Sequence, residues 1–127
     1  MARIYVVTPT YNEKDNLPIL TEKIFALKIP ELHLMVIDDN SPDGTGKIAD
    51  ELRQKYPVDS TGSPRVTVIH REKKSGLGKA YAQGFQALPP EAEIIIQMDA
   101  DLSHDPSVIP KMLEKIKEYD LVLGSRY

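Results

Sequence analysis

"EIIIQMDADLSHDP", residues 93–106, decides how this chain folds. Its apolar run is too continuous to alternate between core and water and too short for a helix, the pattern of a central strand covered on both faces in a parallel sheet. The run stops at Asp99 and Asp101. With a strand's period of two, both carboxylates point to one side and Ala100 to the other, so two hard oxygen donors are held within reach of one cation. The competing reading is a strand end that leaves the core through an Asx turn. Asp105 before Pro106 is a helix-start signal, with Ile109, Met112, Leu113 and Ile116 on the inward face of the helix that follows.

The same grammar repeats outward from this stretch. "RIYVVTP" (3–9) and "LHLMVIDD" (32–39) are further apolar runs that end at acids or turn residues. "RVTVIHR" (65–71) alternates more and suits a strand near the sheet edge, and "YDLVLGSRY" (119–127) begins a fifth strand. Between the strands the period becomes helical: Leu17, Leu20 and Ile24 after Asn16 as cap, Ile48, Ala49 and Leu52 after Thr45, and Ala80, Tyr81, Gly84 and Leu88 after Ser75. Strand and helix in alternation predict an α/β fold with a mostly parallel, doubly wound sheet. "KYPVDSTGSPR" (55–65) is rich in breakers and reads as an exposed loop.

A chain of 127 residues holds one core, so it is one domain or a piece of a larger one. Its stop soon after a strand, with no closing helix, points to a piece. The net charge of -3 gives no reason to expect nucleic acid as a partner. Cysteine is absent, which removes disulfides, thiolate nucleophiles and zinc-thiolate sites. The N-terminal apolar run of about five residues falls short of the ~7 to 15 in a signal-peptide core, and no run approaches the ~18 of a membrane span. These features predict a cytoplasmic chain, or one at the cytoplasmic face of a membrane as part of a longer protein.

The strand ends carry the chemistry. "TPTYNE" (8–13) offers Pro9 and Tyr11 either as a surface for a nucleobase or as a rigid packed turn, with Glu13 as a helix-start acid. In "DDNSPDGTG" (38–46), Asp38 and Asp39 point in opposite directions, so one carboxylate at most is a ligand for a base or ribose and the other holds the loop. "HREKKSGLGKAYAQG" (70–84) fails the P-loop pattern at Lys73 and Ala80, and fails the dinucleotide fingerprint at Tyr81. What is left is an electropositive loop feeding a helix N-terminus, a setting for phosphate oxygens. Arg71 and Lys79 are its candidate ligands, whereas Lys73 and Lys74 read as solvated charge. His70 and His104 read as hydrogen-bonded structural histidines, and His33 carries no functional signal.

Together "VVTPTYNEKDNL", "VIDDNSPDGT", "REKKSGLGKAYAQGF", "IIIQMDADLSHDP" and "LVLGSRY", in that order over nearly the whole chain, resemble the family-two glycosyltransferases. Within them the likeness is to dolichol-phosphate and polyprenol-phosphate mannosyltransferases. The resemblance implies the nucleotide-binding half of a GT-A fold, with Pro9, Tyr11, Glu13, Asp39 and Arg71 around the nucleoside. It implies that Asp99 and Asp101 place Mg²⁺ or Mn²⁺ on the diphosphate, and that these two and Arg71 are the catalytic set. Ser103 stands where some relatives carry a further metal contact, and its short hydroxyl would act there weakly or through water. GDP-mannose as donor, a polyprenyl phosphate as acceptor, and inversion at the anomeric carbon are implied as well. By the same resemblance the chain is the donor half of a longer domain, with no turnover expected from these residues alone. An uncovered half-domain would expose a sheet edge and favour self-association. Two alternatives are a noncatalytic nucleotide- and metal-binding module and a transferase for another donor such as UDP-glucose. A phosphoacceptor receiver domain fits poorly, because the acidic pair follows the second strand and Gly124, Ser125 and Arg126 stand where a receiver presents lysine.

Overall fold

The computed structural model describes residues 3–72, 77–119 and 122. Strands β1 (Arg3–Thr10), β2 (Leu32–Asp38), β3 (Val66–His70) and β4 (Ala92–Gln97) form one sheet in the order β3-β2-β1-β4, with every neighbouring pair parallel. Helices α1 (Asn16–Ala26), α2 (Thr45–Lys55) and α3 (Leu77–Ala87) make the crossovers, and a 3₁₀ turn (Pro106–Val108) leads into α4 (Ile109–Lys115). Residues on β1 divide between two cores, because successive side chains leave opposite faces. Ile4 and Val6 join Leu17, Leu20 and Ile24 of α1, Ala49 and Leu52 of α2, and Ile109 of α4. Val7 joins Met35, Ile37 and Ala80, beneath α3 on the other face. Both faces are therefore covered, and the expected doubly wound parallel architecture is the observed one. Among the described residues no helix is long and apolar enough to cross a membrane.

Three local expectations are corrected. The isoleucine run lies on the outermost described strand rather than a central one, and Ile95 is 47% exposed. An apolar run marks a strand but carries no information about how many neighbours it has. Asp15, not Asn16, stands at the N-cap of α1, without a side-chain cap bond. Gly44, at φ 95°, precedes α2, so Thr45 lies within the first turn. There Thr45 Oγ1 accepts from the Glu13 amide at 2.9 Å, pinning the β1–α1 loop to α2. Asp105 caps as expected, accepting from the Ser107 amide at 2.9 Å. The proposed Ser75 cap, Lys73 and Lys74 lie outside the described residues, as does nearly all of the fifth strand.

The absence of a side chain at Gly84 sets how closely α3 approaches the sheet. A Cβ there would stand 2.3 Å from Ile37 Cδ1 and 3.1 Å from Val7 Cγ1, both in the packed interior. Gly84→Ala is expected to push α3 outward and cost about 1–3 kcal/mol, as overpacking does. The urea midpoint should fall with the slope unchanged; an unchanged midpoint would mean that Ile37 yields without cost.

Candidate active site at the carboxyl edge of the sheet

Because all four strands are parallel, their carboxyl ends share one edge. Thr10 lies opposite Asp38, and Asp38 opposite His70, while Val7 on β1 is level with Gln97 on β4. The chain steps from β1 to β2 to β3 in one direction and then returns through α3 to the far side of β1. Such a reversal opens a crevice at the carboxyl ends, where ligands of open α/β sheets bind.

The adjacent acids after β2 divide their work. Asp38 is buried and saturated: it accepts from Thr10 Oγ1 at 2.8 Å, Ser41 Oγ at 2.6 Å and the Ser41 amide at 3.0 Å. Asp39 instead pairs with Arg71 Nη1 at 2.8 Å, and both side chains are nearly buried. The Arg71 amide also bonds the Asp38 carbonyl at 2.8 Å, so β3 delivers Arg71 in a fixed place. Asn12 and Asn40 turn their loops in the left-handed region at φ 57° and 56°, which asparagine tolerates better than most residues. Those turns are locked by Asn12 N–H on Ser41 Oγ at 3.0 Å and Asn40 Nδ2 on the Glu72 carbonyl at 2.9 Å. Pro9 is half-buried on β1 and Tyr11 is exposed beyond it. Glu13 Oε2 accepts from Asn16 Nδ2 at 3.0 Å, and Lys79 is exposed in the first turn of α3.

The acidic pair sits in a turn, not on a strand, since β4 ends at Gln97. The alternation nevertheless continues: Met98 and Ala100 are buried, while Asp99 is half-buried and Asp101 exposed. Leu102 takes φ 65°, a costly conformation for leucine, and its side chain packs against the main core. Asp101 Oδ1 accepts from the Ser103 amide at 2.9 Å. The Ser103 hydroxyl first, then its amide, with His104 nearby, hold the Asp101 carboxyl below the usual carboxylate range. Ser103 thus commits its amide to Asp101. The Asp99 amide donates to His104 Nδ1 at 3.2 Å, which makes that ring nitrogen the acceptor. Tyr81 Oη lies 3.4 Å from Asp99 Oδ1, and burial, followed by the charge of Asp99, raises this phenol. Among the described residues no lysine or arginine pairs with Asp99 or Asp101. Two carboxylates without a counter-ion among the described residues are a hard oxygen donor set that suits Mg²⁺ or Mn²⁺, with phosphate and water oxygens completing the shell. Sequence reasoning gave Tyr81 no role here; its inward position on α3 was legible, its reach to Asp99 was not.

A second group with ligand-like spacing lies at the opposite edge. Ligand atoms of Glu31, His33 and Asp59 fall within 4.8 Å of one another. His33 is about 17 Å from Asp38 along β2, at ~3.3 Å per residue. The imidazole is buried against Tyr5, with ring centroids 4.7 Å apart, and both its nitrogens face acceptors: Asp59 Oδ2 at 2.9 Å and the Ile4 carbonyl at 3.3 Å. Arg3 Nε stands 3.5 Å from Glu31 Oε2. Arg3 pairs with Glu31 and Asp59 with His33, although the buried Glu31 Oε2 accepts no hydrogen bond among the described residues, and the network staples the 56–65 loop, whose Val58 and Pro64 bridge, to the start of the sheet. That loop is more ordered than its composition suggested.

Asp59 gives the network a pH signature. Bonds from the Thr61 hydroxyl foremost, and from His33 and the Thr61 and Ser63 amides, lower its carboxyl far below the ordinary value. A folded-state pKa below the unfolded value of about 3.9 stabilises fully above that value and is lost as pH falls through the folded one. Urea unfolding should accordingly show stability declining below about pH 4, and Asp59→Asn should flatten that decline. An equal acid slope in the variant would remove Asp59 as its source.

Sequence comparison agrees with this architecture. The family described as Glycosyl transferase family 2 matches residues 5–127. The chain is 42% identical over 127 residues to the polyprenol monophosphomannose synthase of Mycolicibacterium smegmatis, covering 98% of this chain and 45% of that protein. It is also 42% identical to the dolichol-phosphate mannosyltransferase of Pyrococcus furiosus, covering 98% of this chain and 33% of that one. The chain thus spans less than half the length of these curated relatives. A solved mannosyltransferase from Pyrobaculum calidifontis, in complex with GDP-Man and Mn²⁺, has a similar structure, with a TM-score of 0.68 and 25% identity over 78% of this chain and 27% of that one. With its parallel sheet, its ordered strand-end motifs and a family match over all but the first four residues, this chain belongs to glycosyl transferase family 2.

Proposed function

We propose that this chain is the donor-binding half of a metal-dependent transferase that moves mannose from GDP-mannose to a polyprenyl phosphate. One observation carries the proposal: an acidic pair with no lysine or arginine partner among the described residues shares the carboxyl edge with the Arg71–Asp39 pair, whose members follow β3 and β2, three and two strand intervals from β4. Two to three intervals of ~4.8 Å give about 10–14 Å, a span suited to a nucleoside at one end and its diphosphate at the other. The named activities of the relatives support mannosyl transfer to a lipid phosphate, and the complex of the Pyrobaculum enzyme supports GDP-mannose and Mn²⁺.

Within this proposal Pro9, Tyr11, Glu13 and Asp39 surround the nucleoside, and Arg71, oriented by Asp39, faces its phosphate side. Lys79 adds positive field at the first turn of α3. Asp99 and Asp101 hold the cation, while Ser103 orients Asp101 rather than binding metal itself. Mg²⁺ or Mn²⁺, when bound, offsets charge that develops on departing GDP. An oxygen of the acceptor phosphate bonds to the anomeric carbon as the bond from that carbon to GDP breaks, with inversion. The acceptor phosphate, with a second pKa of ~6, is already anionic at neutral pH and needs no strong base. Asp105 accordingly keeps its capping role and His104 its bond to the Asp99 amide. The acceptor-binding part would lie in the longer chain that relatives possess, and the 127 residues would bind donor without turnover. Calorimetry with GDP and UDP, each with and without Mn²⁺, tests this reading. Mn²⁺-dependent binding stronger for GDP supports it, a preference for UDP reassigns the donor, and metal-independent binding removes the acidic pair from the site.

A further inference from the structure

Asp99 is gripped at two points by residues that the proposed reaction leaves unused. Its amide donates to His104 Nδ1 at 3.2 Å, which fixes the backbone of the turn. Its Oδ1 faces the hydroxyl of Tyr81 at 3.4 Å, a weak contact longer than the roughly 2.5–3.0 Å of an ordinary O–H···O bond. Tyr81 cannot drift from that position cheaply. Its ring stacks on Phe85, centroids 5.9 Å apart, and the helix beneath is seated on β1 and β2 by Ala80, fully buried, and by Gly84. A tyrosine on α3 therefore reaches across the sheet edge to a carboxylate that follows β4, linking two elements that the sheet does not pair.

Resting on the functional reading above, we infer that Tyr81 is a positioning residue for Asp99: its hydroxyl donates to Oδ1, sets the carboxylate's rotation, and leaves Oδ2 presented to the divalent cation. A phenol is a suitable group for this place, because it donates without bringing a positive charge that would compete with the cation. Outer-shell partners of metal-binding carboxylates act in this way, and their loss costs about 10- to 100-fold in metal affinity. With one long bond in question, the lower end applies, roughly 10-fold.

The test is Tyr81→Phe in the 127-residue chain, which removes the hydroxyl and keeps the ring stack. Mn²⁺ is titrated in the presence of saturating GDP, with free Mn²⁺ read by electron paramagnetic resonance. The expected result is Mn²⁺ affinity about 10-fold weaker, with metal-free GDP affinity and Tm unchanged. Phe85→Leu, which loosens the stack but keeps the hydroxyl, is expected to shift Mn²⁺ affinity less than Tyr81→Phe. Wild-type Mn²⁺ affinity in Tyr81→Phe overturns the inference alone. Equal losses in the two variants also overturn it, since ring packing rather than the hydroxyl would then set Asp99. If the wild-type chain takes up no Mn²⁺ with GDP, the functional reading fails and this inference with it.

Discussion

Asp101→Ala is expected to abolish the Mn²⁺-dependent part of GDP binding, weakening it by at least about 100-fold, while GDP binding without metal and the Tm stay near wild type. The size follows from rank: loss of an outer-shell partner already costs up to about 100-fold, and Asp101 would be a direct ligand. The small effect on stability follows from its setting. Asp101 is exposed, and its described hydrogen bonding is to Ser103 within the same turn, with His104 only nearby. Asp101→Asn separates charge from shape, because it keeps an oxygen for the Ser103 amide but loses the anion. Asn should bind Mn²⁺ nearly as poorly as Ala. Calorimetry at fixed GDP, varying Mn²⁺, reads both, and a wild-type isotherm from either variant would contradict the assignment.

Arg71→Ala is expected to act in the opposite way, with a large loss of stability. The Arg71–Asp39 pair is 11% and 7% exposed at its side chains, close enough to burial that removing one partner strands the other charge. Such a loss costs about 3–5 kcal/mol in buried pairs, and the residual exposure favours the lower figure, about 3 kcal/mol. For a chain of this size the Tm should fall on the order of 10 °C. Replacing both partners, Asp39→Leu with Arg71→Met, should recover most of that stability, since an apolar pair avoids the stranded charge. It should not recover nucleotide binding. A double variant that binds GDP like wild type would reduce the pair to a structural element, and Arg71→Ala with unchanged Tm would show that Asp39 is solvated once alone.

What could be seen in the sequence was what depends on local periodicity. Continuous apolar runs gave β1, β2 and β4, and the 3.6-residue spacing of Leu17, Leu20 and Ile24 gave α1 with its correct buried face. Strand order is set by tertiary pairing, so the outermost place of β4 was not visible in "IIIQM". The roles of Asp38 and Asp39 were half legible. Opposed directions on a strand allowed at most one ligand carboxylate and made the other a loop-holder, but only the positions of Thr10 and Ser41 decide that Asp38 is the holder. The prediction that Asp99 and Asp101 share a side assumed a strand that stops at Gln97. Burial of Met98 and Ala100 preserves the alternation for a different reason, the pull of the core. Long-range contacts such as Tyr81 to Asp99 and His33 to Asp59 span 18 and 26 residues, and no local pattern encodes them.

The location of the metal is the point on which the functional assignment turns, because two clusters of ligand-bearing side chains lie at opposite edges of one sheet. Amide NMR of the ¹⁵N-labelled chain, titrated with Mn²⁺ in the presence of GDP, separates them, since paramagnetic broadening falls steeply with distance. Broadening should be strongest at residues 99–104, with a weaker effect at 9–13 and 39–41. The weakest effect should fall at 31–33 and 59–63. Broadening centred on Glu31, His33 and Asp59, with the 99–104 amides unaffected, would contradict a metal site at the carboxyl edge.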